Sequence, residues 1–126
     1  MTRRLLIAED DRDIASVYTE LLVSEGYQVA TVYDGQQALD HVKSHRVDLI
    51  VSDIRMPRMD GLTMTAKIRE LGKTTPIILI SAIEFRDKAL RFPRVAFLKK
   101  PVSIDMLLET IEVSLNGARQ TLRKSS

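Results

Sequence analysis

Four apolar runs in this chain end on residues able to bind cations, hold phosphate or attack an electrophile. Leu5, Leu6, Ile7 and Ala8 lead into Glu9, Asp10 and Asp11, and Leu49, Ile50 and Val51 lead to Asp53. Ile77, Ile78, Leu79 and Ile80 end on Ser81, and Val95, Phe97 and Leu98 run into Lys99 and Lys100. A carboxylate at the end of a buried strand costs free energy unless water, a cation or hydrogen bonds meet it. Three of them at close quarters repel one another and raise at least one pKa unless a hard cation neutralises them. Mg²⁺ suits a site with few carboxylates and several retained waters. Such a cation accepts a phosphate oxygen, and Asp53 then has the chemistry of a carboxylate nucleophile whose product is a mixed anhydride, an aspartyl phosphate. The ammonium of Lys100 and the hydroxyl of Ser81 would meet the remaining oxygens, so that positioning and charge neutralisation carry most of the catalysis. Taken singly, an Asp or Ser at a strand end is an ordinary turn residue; what asks for a reason is the convergence of several charged groups.

That convergence depends on the elements between them. The apolar runs are short and rich in β-branched residues, as in strands buried on both faces. A further strand is predicted over residues 27–32, followed by a turn at Asp34 and Gly35. Between the strands, apolar residues recur at helical spacing. From Asp13 onward Ile14, Val17, Leu21 and Leu22 predict a helix stopped by Gly26, and Ala38, Leu39 and Val42 a second one reaching about His45. Leu62, Ala66, Ile68 and Leu71 predict a third, closed by Gly72. A fourth over residues 84–92 has Leu90 as its anchor and is ended by Pro93, so it is expected to be short or irregular. The last is capped by Ser103, carries Ile104, Leu107, Leu108, Ile111 and Leu115, and is expected to end at Asn116 and Gly117. Five strands alternating with five helices imply a doubly wound α/β fold, a parallel sheet with helices on both faces. In such a sheet the loops at the carboxyl ends of the strands share one edge, and ligands bind where the strand order reverses. The expected organisation is one domain over residues 1–117 and a polar basic tail over 118–126, read as a solvated end or the start of a linker.

Over residues 4 to about 117 the chain resembles the receiver domain of two-component response regulators. The resemblance is carried by Glu9-Asp10-Asp11 after the first strand, by Asp53 with Met56-Pro57 and Met59-Asp60-Gly61 after the third, by Ser81-Ala82 after the fourth and by Lys100-Pro101 after the fifth. It implies the flavodoxin-like strand order 2-1-3-4-5. It makes Asp53 the phosphoacceptor, Glu9 and Asp10 the acidic pair serving Mg²⁺, and the backbone carbonyl of Arg55 a further ligand. By the same resemblance Ser81 is the switch hydroxyl, Phe97 the switch aromatic and Lys100 the partner of the phosphoryl group, with a cis bond before Pro101. A phosphoryl group on Asp53 would draw Ser81 toward it and vacate space for Phe97, biasing a surface of two states. The implied partner is a histidine kinase or a histidine phosphotransfer protein. A homodimer is expected through the fourth helix, fifth strand and fifth helix, or through the first and fifth helices.

Composition narrows the alternatives. Hydrophobic residues make up 44% and charged residues 29% of 126 residues, ordinary for one folded domain. A net charge of +2 gives no reason to expect nucleic acid as a partner of this domain alone. The chain has no cysteine, which excludes disulfides and thiolate metal sites and fits a reducing cytoplasm. No apolar run approaches the roughly 18 to 20 residues of a membrane span. A phosphatase of the haloacid dehalogenase kind would place an acid two residues after its nucleophilic Asp, where this chain has Arg55. A flavodoxin-like cofactor site would need a Gly-, Ser- or Thr-rich phosphate cradle where this chain has Glu9, Asp10 and Asp11. A degenerate receiver acting only as an interaction module is the remaining alternative, although every side chain the phosphorylated form needs is in place.

Overall fold

The computed structural model describes residues 2–125, with side chains over residues 2–117. The elements alternate as β1 (Arg4–Ala8), α1 (Arg12–Ser24), β2 (Gln28–Val32), α2 (Gly35–Ser44), β3 (Leu49–Asp53), α3 (Gly61–Glu70), β4 (Ile77–Ser81), α4 (Arg86–Ala89), β5 (Val95–Lys99) and α5 (Ile104–Ser125). All strand pairs are parallel and the order is β2-β1-β3-β4-β5, as expected. The order reverses between β1 and β3, which places the crevice between the strands that end in acids.

The strand runs are apolar without alternation because both faces are covered. Leu5, Ile7, Leu49, Val51, Ile78 and Ile80 pack with Leu22 of α1 and with Leu107 and Ile111 of α5. Their strand neighbours Leu6, Ala8, Ile50, Ile77, Leu79 and Phe97 point the other way, onto Ala38, Leu39 and Val42 of α2, Met64 and Ile68 of α3, and Ala89. A pleat of period two thus sorts each strand between two cores. Side-chain oxygens fix the starts of four helices: Asp11 accepts from Asp13 N and Ile14 N, Asp34 from Gln37 N, Asp60 from Thr63 N, and Ser103 from Met106 N.

The structure corrects the helices in four places. In α1 the buried positions are Ala15 and Leu22, whereas Ile14 and Val17 are exposed. The Asp11 cap, tied to the end of β1, sets the helix phase, so small Ala15 lies against the sheet. In α3 the buried face is Met64, Thr65 and Ile68, and Leu71 lies outside. In α4, short as expected, the anchor is Ala89, fully buried, while Leu90 is exposed because four residues make one turn and offer only one inward position. Finally, α5 does not stop at Asn116 and Gly117 but runs to Ser125. Gly117 does not take the positive φ that terminates a helix, as Gly26 and Gly72 do, and a glycine inside a helix costs only about 1 kcal/mol. The side chains of the expected basic tail lie outside the described residues. Among the described residues no helix is long and apolar enough to cross a membrane.

Candidate functional site

Because β1, β3, β4 and β5 are neighbours in that order, their carboxyl ends deliver Glu9, Asp10, Asp53, Ser81 and Lys100 to one edge. Ligand oxygens of Glu9, Asp10 and Asp53 lie within 4.8 Å of one another. Asp11, the third acid of the run, is spent as the cap of α1 and stays outside this cluster. Glu9 is buried, and its Oε2 accepts from Asp11 N at 3.1 Å. Asp10 is exposed at the mouth.

Lys100 stands two strands from β3, about 10 Å away at the usual spacing, and its long stem closes that gap. Its Nζ donates to Asp53 Oδ2 at 3.2 Å. The peptide between Lys100 and Pro101 is cis, and Lys100 N donates to Ser81 O at 2.9 Å, fastening the end of β5 to the end of β4. The Ser81 hydroxyl is buried and accepts from Ile83 N at 3.1 Å. Phe97 is buried in the core and pairs in register with Leu79, two residues before Ser81 on the same face. Arg55 lines the same open trough as Asp10, with Met56, Asp60 and Lys88.

The charges act on each other strongly. Burial, reinforced by Asp53 and by a hydrogen bond with Asp10, pushes the Glu9 carboxyl from 4.5 up to about 7, against the Asp11 amide and Lys100. Burial also raises Asp53, opposed by the ammonium of Lys100. Burial alone would lower Lys100, but the nearby Asp53 and Glu9 carboxylates hold its pKa above the usual value. Without a cation the cluster therefore holds a proton well above the pH at which a free carboxyl releases it, up to about pH 7. Three hard oxygen donors with one raised pKa fit a divalent cation such as Mg²⁺, which would displace that proton.

One neighbour escaped the sequence reading. Tyr18 of α1 lines a small cleft with Glu9, Asp53 and Lys100, and burial raises its phenol. Its signal was present in the spacing, since Tyr18 shares a helical face with Ala15 and Leu22, but the stripe through Ile14 and Val17 masked it.

A family model described as the response regulator receiver domain matches residues 5–112. The chain belongs to this family. Relatives of the receiver domain include the transcriptional regulatory protein PdtaR of Mycobacterium tuberculosis, 36% identical over 94% of this chain and 59% of its own length. The sensor histidine kinase RcsC of Salmonella typhimurium is 33% identical over 93% of this chain, which spans only 13% of that protein. The chain thus spans less than two thirds of the length of these curated relatives. Among solved structures, the Francisella response regulator 1452 receiver domain superposes with a TM-score of 0.85 at 26% identity, covering 93% of this chain and 99% of that one. The chemotaxis response regulator CheY4 of Vibrio cholerae gives 0.82 at 27% identity, covering 90% and 99%.

Proposed function

We propose that this receiver domain is a phosphorylation-dependent signalling switch in the cytoplasm, with Asp53 as phosphoacceptor and a histidine kinase or histidine phosphotransfer protein as donor. The observation that carries the reading is the contact between Lys100 and Asp53 beside two further carboxylates. Asp53 Oδ2 is held by Lys100, leaving Oδ1 to attack phosphorus. The P–N bond to the donor imidazole breaks as the new P–O bond forms, and the released imidazole takes up a proton. Lys100 then has a phosphoryl oxygen to pair with, and the Ser81 hydroxyl can turn from the Ile83 amide to donate to another. Hydrolysis reverses the state: water attacks phosphorus, the P–O bond to Asp53 breaks, and the carboxylate returns.

Glu9, Asp10, Asp53 and the carbonyl of Arg55 would hold Mg²⁺, which supplies charge neutralisation between the carboxylates and the phosphoryl oxygens. The trough past Asp10, Arg55 and Lys88 leaves the site open to a docking donor. Phe97 lies inward here, beside Ala89, and an Arg86 guanidinium covers its ring at 5.3 Å. The switch would rearrange that packing. Exposed Ile83, Leu90, Ile104 and Met106 around α4, β5 and α5 supply an apolar face on which two copies could pair. Incubation with acetyl phosphate and Mg²⁺ should label the wild type, and Asp53→Asn should abolish the label. Labelling that survives the substitution would move the nucleophile elsewhere.

A further inference from the structure

The loop after β3 is tied to a different part of the molecule by an unusual pair. Arg58 takes a left-handed conformation, φ 66°, which a residue with a Cβ adopts only against a steric cost and glycine adopts freely. In return its Nε donates to Asp34 Oδ2 at 2.6 Å. Asp34 is a buried carboxylate, 1% exposed, that also caps α2 by accepting from Gln37 N at 2.7 Å. These two bonds hold its pKa below the ordinary range despite the opposing effect of burial. Next to it Gly35 N donates to Met59 O at 3.0 Å, and any Cβ on Gly35 would collide with that carbonyl. The loop is closed on itself as well, through Met59 N to Pro57 O and Gly61 N to Ile54 O, both 2.7 Å. Backbone strain that persists beside a functional site needs a compensating purpose.

We infer that Arg58 is a positioning residue for the cation site: by clamping the loop to Asp34 it fixes the carbonyl of Arg55, three residues earlier, at the spot where Mg²⁺ requires an oxygen. This rests on the reading of Glu9, Asp10, Asp53 and Arg55 as the Mg²⁺ ligands. Mg²⁺ tolerates little departure from octahedral geometry, so a loosened carbonyl weakens it. Charge and position make opposite demands here. Deleting a nearby cation strengthens Mg²⁺ binding by Coulomb's law alone, whereas releasing the clamp weakens it.

The deciding variant is Arg58→Gly, which removes the clamp and at the same time relieves the strain, so that loss of fold is not the expected outcome. Titration of the full chain with magnesium chloride in a calorimeter should show affinity about tenfold below wild type, the low end for an outer-shell partner. Arg58→Lys, which restores a cation within reach of Asp34, should recover part of it. Without metal, the Gly35 and Gly61 amide protons should exchange faster in Arg58→Gly. Unchanged or increased Mg²⁺ affinity overturns the inference, and so does weakened affinity with unchanged amide exchange, which would mean the loop had not moved. A wild type that binds Mg²⁺ no better than Asp10→Asn removes the metal reading and this inference with it. Faster exchange would then show that the clamp exists but serves something else.

Discussion

Glu9→Gln should make the metal-free protein more stable at alkaline pH and change it little at acidic pH. The carboxyl is almost fully buried, and its pKa lies at about 7 in place of 4.5. At about 1.4 kcal/mol per unit, burying it as an anion costs about 3 kcal/mol. Below about pH 4.5 the folded and unfolded chains both hold this proton. Between 4.5 and about 7 only the folded chain holds it, so each rise in pH favours unfolding; above 7 neither does, and the loss is complete. Stability thus declines with rising pH over that window in the wild type; the variant lacks the share due to Glu9 and keeps only that of the other raised carboxyl, Asp53.

For a chain of this size about 3 kcal/mol corresponds to roughly 10 °C in melting temperature. Melts of both proteins with a chelator present, from pH 5 to 8, read the difference directly. His41 works in the other direction, since burial and its stacked neighbour His45 depress its pKa and make it a destabilising group toward acid. It is common to both proteins and cancels in the comparison. Saturating Mg²⁺ at pH 8 should then raise the wild-type melting temperature more than that of the variant, because the cation relieves the repulsion the glutamine has already removed. Parallel curves for the two proteins across pH 5 to 8 would refute the assignment of the trapped proton to Glu9.

Two more substitutions probe the loop and the amine. Gly61→Ala builds a Cβ 2.5 Å from the carbonyl oxygen of Asp53 and 3.0 Å from the Cα of Ile54, both backbone atoms that cannot swing aside. It should cost at least about 2 kcal/mol in denaturant unfolding, and a neutral result would show that the end of β3 is softer than its hydrogen bonds suggest. Lys100→Met keeps the stem and deletes the ammonium, so labelling by acetyl phosphate should slow about a hundredfold while Mg²⁺ affinity holds or rises. Labelling at the wild-type rate would deny Lys100 its role.

The strands and the site were legible from sequence for one reason. In a sheet covered on both faces, hydrophobicity marks the strand and the first charged residues mark its end, so Glu9, Asp53 and the pair Lys99 and Lys100 declare their own place. Helix phase was less legible. Ile14 and Val17 are more apolar than Ala15, yet the cap at Asp11 rotates Ala15 inward, and no local count of hydrophobicity contains that rotation. The run Glu9-Asp10-Asp11 shows the same ambiguity at single-residue scale. Three adjacent acids look equivalent until one is committed to the amides of Asp13 and Ile14, and only that commitment leaves two for a cation. Arg58 lies beyond local reading for a further reason: its partner is 24 residues away, and an arginine in a turn normally carries no sign of positive φ. What the sequence encodes openly is therefore the chemistry at the strand ends. The aim of that chemistry is set by caps and clamps between loops, whose partners become visible only when β2 and β3 are placed on either side of β1.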